Sequence, residues 1–179
     1  MWVLLILLLA AIIVGMIFNS LVKLREQAEA AWADIDVQLK RRHDLVPNLV
    51  ETVKGYAVHE EETLQKVIQA RSAAMAATGP AEQGEAENML TGALKSIFAL
   101  SESYPQLQAA EGFRELQASL ANLEDGIQNA RRYYNAVVRD YNTKISQVPS
   151  NVIAQAFRFS RKEFFEIEEG ERSVPEVKF

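Results

Sequence analysis

The sequence predicts an all-α protein in which an N-terminal transmembrane helix continues into an elongated antiparallel helical bundle of the four-helix type. Three observations carry this. The first eighteen residues contain no charged side chain, and from Met16 to Val46 there is neither glycine nor proline. Apolar residues then recur at steps of three and four through every later segment, the signature of a helix with one buried face. No segment shows the two-residue alternation of a half-buried strand.

The first element is the anchor. The run from Trp2 through Leu5, Leu9, Ala11 and Gly15 to Phe18 is apolar throughout, and at 1.5 Å per residue it crosses roughly 27 Å of hydrocarbon. Leu21 and Val22, beyond Asn19 and Ser20, bring it to the usual thickness. A cleavable signal peptide has a basic start and a shorter apolar core, whereas no Lys or Arg precedes this one. With no cysteine there is no acylation site for a lipoprotein. Lys23 and Arg25 follow the span closely, and Lys40, Arg41 and Arg42 come later. By the positive-inside rule the short amino end lies outside and the C-terminal domain faces the cytoplasm. Ala11 and Gly15 form a small-x-x-x-small pair that lets two anchors approach closely.

Past the anchor, Leu21, Leu24, Ala28, Trp32, Ile35, Leu39, Val46, Leu49, Val53 and Tyr56 mark one helix stripe, and Arg42 interrupts it with a charge. Pro47 has no N–H to offer the carbonyl of His43, so a kink or an end is expected there. The stripe keeps its phase on both sides, which favours the kink over a reversal. A second helix is expected around His59 to Ala77, opened near Gly55 by the acidic run Glu60-Glu61-Glu62. Thr78-Gly79-Pro80 stops it. A third carries Ala86, Leu90, Ala93, Ile97, Leu100 and Tyr104, ending at Pro105. The last has the cleanest seam: Phe113, Leu116, Leu120, Leu123, Ile127, Ala130, Tyr134, Val137, Tyr141, then Ile145 or Val148, up to Pro149. It is about 50 Å long, and the first helix is the partner long enough to cover it. The expected organisation is an anchor over residues 1–20, a cytoplasmic bundle over 21–149, and a short helix and tail over 150–179 packing on the bundle or the membrane.

Composition narrows the chemistry. The absence of cysteine removes disulfides, thiol catalysis, iron–sulfur clusters and thiolate zinc sites. A net charge of −5 with a pI near 5.2 argues against nucleic acid as a partner. The chain contains no phosphate-cradling G-x-x-x-x-G-K-[ST], no G-x-G-x-x-G and no G-x-S-x-G. His43 and His59 stand alone rather than in the paired Glu-x-x-His motifs of a di-iron bundle, so no metal or other cofactor is expected. No nucleophile–base pairing can be read, and no enzyme is expected. Acidic pairs such as Glu168-Glu169 read as solvated faces.

The stretch from Asp34 to Tyr56, with Arg41-Arg42-His43-Asp44-Leu45-Val46-Pro47-Asn48 at its centre and Gly55-Tyr56 at its end, resembles the signature of the LemA family of bacterial membrane proteins. The resemblance continues through Ala130-Arg131-Arg132-Tyr133-Tyr134-Asn135, Tyr141-Asn142, Pro149-Ser150-Asn151, Glu163-Phe164-Phe165-Glu166 and the tail from Val174 to Phe179. Val148 stands where an aromatic is expected and Arg161 where a proline is common. The resemblance implies a single-pass protein of the bacterial inner membrane with a cytoplasmic helical bundle, in a family with relatives linked to internal membranes such as magnetosomes.

Two sets of residues remain as candidate sites. Arg42, Asp44 and Asn48, with Arg131, Asn135 and Asn142, are expected to form buried hydrogen-bonded layers that fix helix register. Arg41, Arg42, Arg131 and Arg132 offer instead an anion or peptide site, or pair with Asp44 and Glu124. In the tail, Phe157, Arg158, Phe159, Arg161, Lys162, Phe164 and Phe165 mix aromatics with cations, suited to a lipid surface or to capping the bundle end. The functional expectation is a membrane-anchored structural protein that organises or remodels membrane through homo-oligomers in contact with lipid. The alternative is an adaptor that recruits a protein partner.

Overall fold

The computed structural model describes residues 1–165, in which six helices and no strand occur. They are α1 (Trp2–Lys54), α2 (Glu61–Ala76), α3 (Pro80–Ser101), α4 (Pro105–Ala109), α5 (Glu111–Ser146) and α6 (Ser150–Ala156). The tail from Glu166 onward, with Glu168-Glu169 and Val174 to Phe179, lies outside the described residues. Two packing units divide the chain, and α1 and α5 each contribute to both.

Unit 1 comprises Met1–Ile35 and Ala130–Phe164. Within it Leu21 clusters with Ile145, and the Trp32 ring lies 5.5 Å from that of Tyr134, so the partner number falls as the α1 number rises. The two helices are therefore antiparallel here. The core holds Leu21, Ala28, Ala31, Ile35, Tyr134, Val137, Val138 and Tyr141, with Ile153 and Ala154 of α6 closing one end. Below Leu21 the picture inverts, since every large apolar side chain from Trp2 to Val14, and Met16, is at least 40% exposed. This part of α1 is long and apolar enough to cross a membrane.

Unit 2 comprises Asp36–Asn129, with Phe165 its last described residue. Again α1 and α5 run antiparallel: a Cβ built on Gly126 would lie 3.8 Å from the Gln38 side chain, and Arg42 meets Glu124. Helices α2 and α3 pack as a hairpin, and the core gathers Val46, Leu49, Val53, Leu64, Val67, Leu90, Leu94, Ile97, Leu107 and Phe113. Burying each such side chain stabilises the fold by about 1.5–3 kcal/mol. The hairpin turn follows its sequence closely. Gly79 has φ 82°, a left-handed conformation that glycine adopts without steric cost, and Pro80 takes the first helical position. The Glu82 carboxylate reaches back to accept from the Thr78 N–H and hydroxyl, both at 3.0 Å, which holds its pKa below the usual carboxylate range.

Helix α1 neither ends nor reverses at Pro47, but continues to Lys54. The reason is visible in the main chain: the His43 carbonyl, which Pro47 cannot serve, accepts a 2.8 Å hydrogen bond from Arg71 Nε on α2. The proline ring itself is exposed, so it displaces no core side chain. The tight helix α4 was not expected. It forms because Pro105, which stops α3, also fits the first turn of a new helix.

Candidate functional site

The strongest polar constellation lies inside unit 2. Arg42 occupies a core position of α1 and is 2% exposed, and Glu87 on α3 is 1% exposed. Arg42 Nη1 stands 3.5 Å from Glu87 Oε2 and 3.2 Å from Glu124 Oε2 of α5, while Nη2 donates to Thr91 Oγ1 at 2.6 Å. His43 Nε2 lies 2.6 Å from Glu87 Oε1. Gln83 Nε2 also donates to Glu87 Oε1, at 3.0 Å, and to the Ala74 carbonyl at 2.8 Å. Glu87 Oε2 has no hydrogen-bond partner and is compensated only by the Arg42 charge.

This arrangement clamps three helices. Arg42 and His43 come from α1, Glu87 and Thr91 from α3, and Glu124 from α5, each at the register where the stripes would otherwise bring aliphatics together. Chemically it is closed on itself. The guanidinium is consumed by its own chain's carboxylates, which leaves no donor fork for an incoming anion, so the anion-site expectation is corrected at Arg42. Among the described residues no group of three His, Cys, Asp or Glu is disposed to hold a metal ion.

Unit 1 carries a different network. The Asn142 amide makes two 2.9 Å bonds to the main chain of one residue, Nδ2 donating to the Lys162 carbonyl and Oδ1 accepting from the Lys162 N–H. Tyr141 donates to the Ser160 carbonyl at 3.0 Å and Tyr134 to that of Glu163 at 2.9 Å. Three side chains of α5 thus pin the irregular strap 160–163, and Lys162 Nζ adds a 3.3 Å ion pair with Glu29. Burial, with the Glu163 carboxylate adding to it, pushes the Tyr134 phenol up to about 12. Tyr141 is also raised, chiefly by burial, with Arg25 opposing and Glu29 assisting. Nearer the apolar segment, the Phe18 ring lies 4.8 Å from Phe157 and 5.8 Å from Phe159, and Arg25 sits 5.6 Å over the Phe159 ring.

The expected mixed layer is therefore replaced. Arg42 and Asn142 are buried, but Arg42 belongs to the ionic cluster of unit 2 and Asn142 to the strap of unit 1. Asp44 and Asn48 are exposed, because two and six residues from Arg42 lie off the buried stripe at 3.6 residues per turn. Gly55 and Tyr56 follow the end of α1 and are exposed, as is Pro149, which follows a cis peptide bond. Arg131 and Asn135 are half-buried, and Arg41 and Arg132 are exposed. The tail residues also divide. Phe165 is buried, Phe159 and Lys162 are half-buried, and Phe157, Arg158, Arg161 and Phe164 are exposed. Sequence reasoning missed Glu87, Thr91, Gln83 and Arg71. Of these, Glu87 left a signal, since it falls three residues before Leu90 on the apolar side of α3.

A model of the LemA family matches residues 31–179. The magnetosome protein MamQ of Magnetospirillum gryphiswaldense is 28% identical over 174 residues, covering 83% of this chain and 64% of that protein. Magnetosome protein MamQ 2 of Paramagnetospirillum magneticum is 26% identical over 175 residues with the same coverage. Protein LemA of Metamycoplasma hominis is 28% identical over 158 residues, 86% of this chain and 71% of that protein. The chain thus spans just under two thirds of the length of the magnetosome relatives.

Proposed function

This chain belongs to the LemA family, and from that premise we propose that it is a single-pass structural protein of the bacterial inner membrane that organises or remodels the bilayer through homo-oligomers, its helical domain in the cytoplasm. One observation carries the reading. Within unit 1 a single unbroken helix passes from a bare apolar segment, ending at Phe18, into a packed core that begins at Leu21. Nothing flexible intervenes, so a membrane that holds the apolar segment also orients the unit. Lys23 and Arg25 just past the segment favour a cytoplasmic domain. Ala11 and Gly15 are exposed, and nothing lies within 4 Å of a Cβ built on Gly15, which leaves room for a second anchor. The magnetosome relatives add weight to a role in membrane organisation. We assign no catalytic role, because the buried charges are spent on one another.

The test is reconstitution of the full chain in lipid, followed by electron microscopy and mass photometry. Discrete oligomers or ordered arrays are expected. A uniformly monomeric species at high protein density overturns the scaffold and leaves the adaptor reading. A groove of about 530 Å³ between α2 and α3, lined by Thr63, Lys66, Ala70, Ala73, Met89 and Ala93, favours that second reading.

A further inference from the structure

The apolar segment of α1 is not the only bare apolar surface of unit 1. Val148, Val152 and Phe157 are 82%, 65% and 55% exposed, and all three fall in the turn and short helix that follow α5. The other side of that helix is spoken for, since Ile153 and Ala154 pack with Leu21, with Ile17, Phe18 and Phe159 gathered around them. That buried side holds the turn and helix against α1 at residues 17–21, so the exposed side is fixed at the same level along α1. Those residues have a defined depth. Lys23, the first cation after the apolar segment, seeks the headgroups, and Phe18 lies five residues, about 7.5 Å, nearer the bilayer centre. The interfacial layer on each side of a bilayer is itself about 5–7 Å thick. Residues 17–21 thus span that layer and the adjoining edge of the hydrocarbon, and whatever packs beside them sits at the same depth.

We propose that this turn and helix form a lipid-facing collar, with Val148, Val152 and Phe157 entering the interface of the same bilayer that α1 crosses. This rests on the membrane-anchored reading above. Charge agrees with the placement. Arg158 is exposed beside Phe157, and Lys144 lies one turn before Val148, suited to anionic headgroups, while the acidic Glu29 is drawn to Lys162. The collar also divides the tail aromatics. Phe164 follows Glu163, whose carbonyl is held by Tyr134, and Tyr134 lies against Trp32. Trp32 is fourteen residues along α1 from Phe18, about 21 Å of rise, so the exposed Phe164 stands in water. Tail aromatics are not one lipid-binding patch: Phe157 touches lipid and Phe164 does not.

The chain has no cysteine, so single nitroxide labels can be placed at will. The experiment uses the full chain in vesicles of phosphatidylethanolamine and phosphatidylglycerol, labelled in turn at Leu8→Cys, Val148→Cys, Val152→Cys and Phe164→Cys. Collision with oxygen, which concentrates in lipid, is compared with collision with a water-soluble nickel chelate. The oxygen-to-nickel ratio is expected to be highest at Leu8, intermediate at Val148 and Val152, and several-fold lower at Phe164. Ratios at Val148 and Val152 equal to that at Phe164 overturn the collar while Leu8 still reports anchoring. Low access to both probes with spin–spin broadening overturns it in favour of a second copy on this face. A water-like ratio at Leu8 takes down the anchoring premise and the collar with it. Helical circular dichroism of each labelled chain confirms that the fold survives.

Discussion

In unit 2 the central buried polar network is ionic and joins side chains, Arg42 with Glu87 and Glu124, whereas in unit 1 the network is neutral and faces the main chain, Asn142 with Lys162 and the two tyrosines with Ser160 and Glu163. The ionic cluster joins regular helices, where side chains are all that meet. The neutral network joins a helix to an irregular strap, whose peptide groups have no ladder to satisfy them. Their failures should differ accordingly. An ion that loses its partner is stranded in the core and weakens the whole unit. A lost amide releases a strap that can rehydrate.

The largest break is expected from Arg42→Met, which leaves Glu87 Oε2 buried without its compensating cation and lowers stability by about 3–5 kcal/mol in denaturant titrations. Adding Glu87→Leu should recover most of it, because a well-packed apolar pair replaces the ion pair at little cost. A double variant as unstable as the single one would mean that the cluster acts through something other than its charges.

Next is pH in unit 1. The Tyr134 pKa is raised, so its contribution is complete below the unfolded value near 10 and is lost as pH rises to about 12, because the unfolded chain releases that proton first. The loss reaches about 3 kcal/mol, and the difference between the parent and Tyr134→Phe across that window isolates it from other alkaline titrations. A flat difference would remove Tyr134 from the network. Asn142→Ala should cost less, about 2 kcal/mol, and locally. Hydrogen exchange is expected to speed up over residues 160–163 and to stay unchanged in α3.

Arg71 sharpens the contrast, since it is an ion that serves a peptide in unit 2. Removing it by Arg71→Met should cost about 1 kcal/mol, and almost nothing in a Pro47→Ala background, where residue 47 supplies its own N–H to His43. Additive effects in that double-mutant cycle would break the link between the two residues.

The helices themselves were legible because each carries its own periodicity and punctuation. Gly79-Pro80 and the end of α5 before Pro149 fell where turn chemistry placed them. Arg42 was legible as an intruder on a stripe, and Glu124 as one of its possible partners. Glu87 was readable in principle, as a carboxylate on the buried side of α3, but only a matching step between two helices pairs it with Arg42. The strap was not legible. Lys162 is recognised through its main-chain N–H and C=O, which every residue but proline carries, so no pattern of side chains could announce that Asn142 would find it. Arg71 was hidden likewise, since it answers a carbonyl and not a side chain.

The closure of the ionic cluster also bears on how this sequence can change. Replacing Arg42 alone leaves Glu87 Oε2 without its cation, and replacing Glu87 alone leaves Arg42 with Glu124 and Thr91 only, so an apolar core at this position is reached at least cost when both change together. Such a pair, once installed, persists whether or not anything is done with it. Retention of Arg42 and Glu87 among relatives would then record a one-way route through sequence space, and the surface of the protein is the better place to look for selection by a partner.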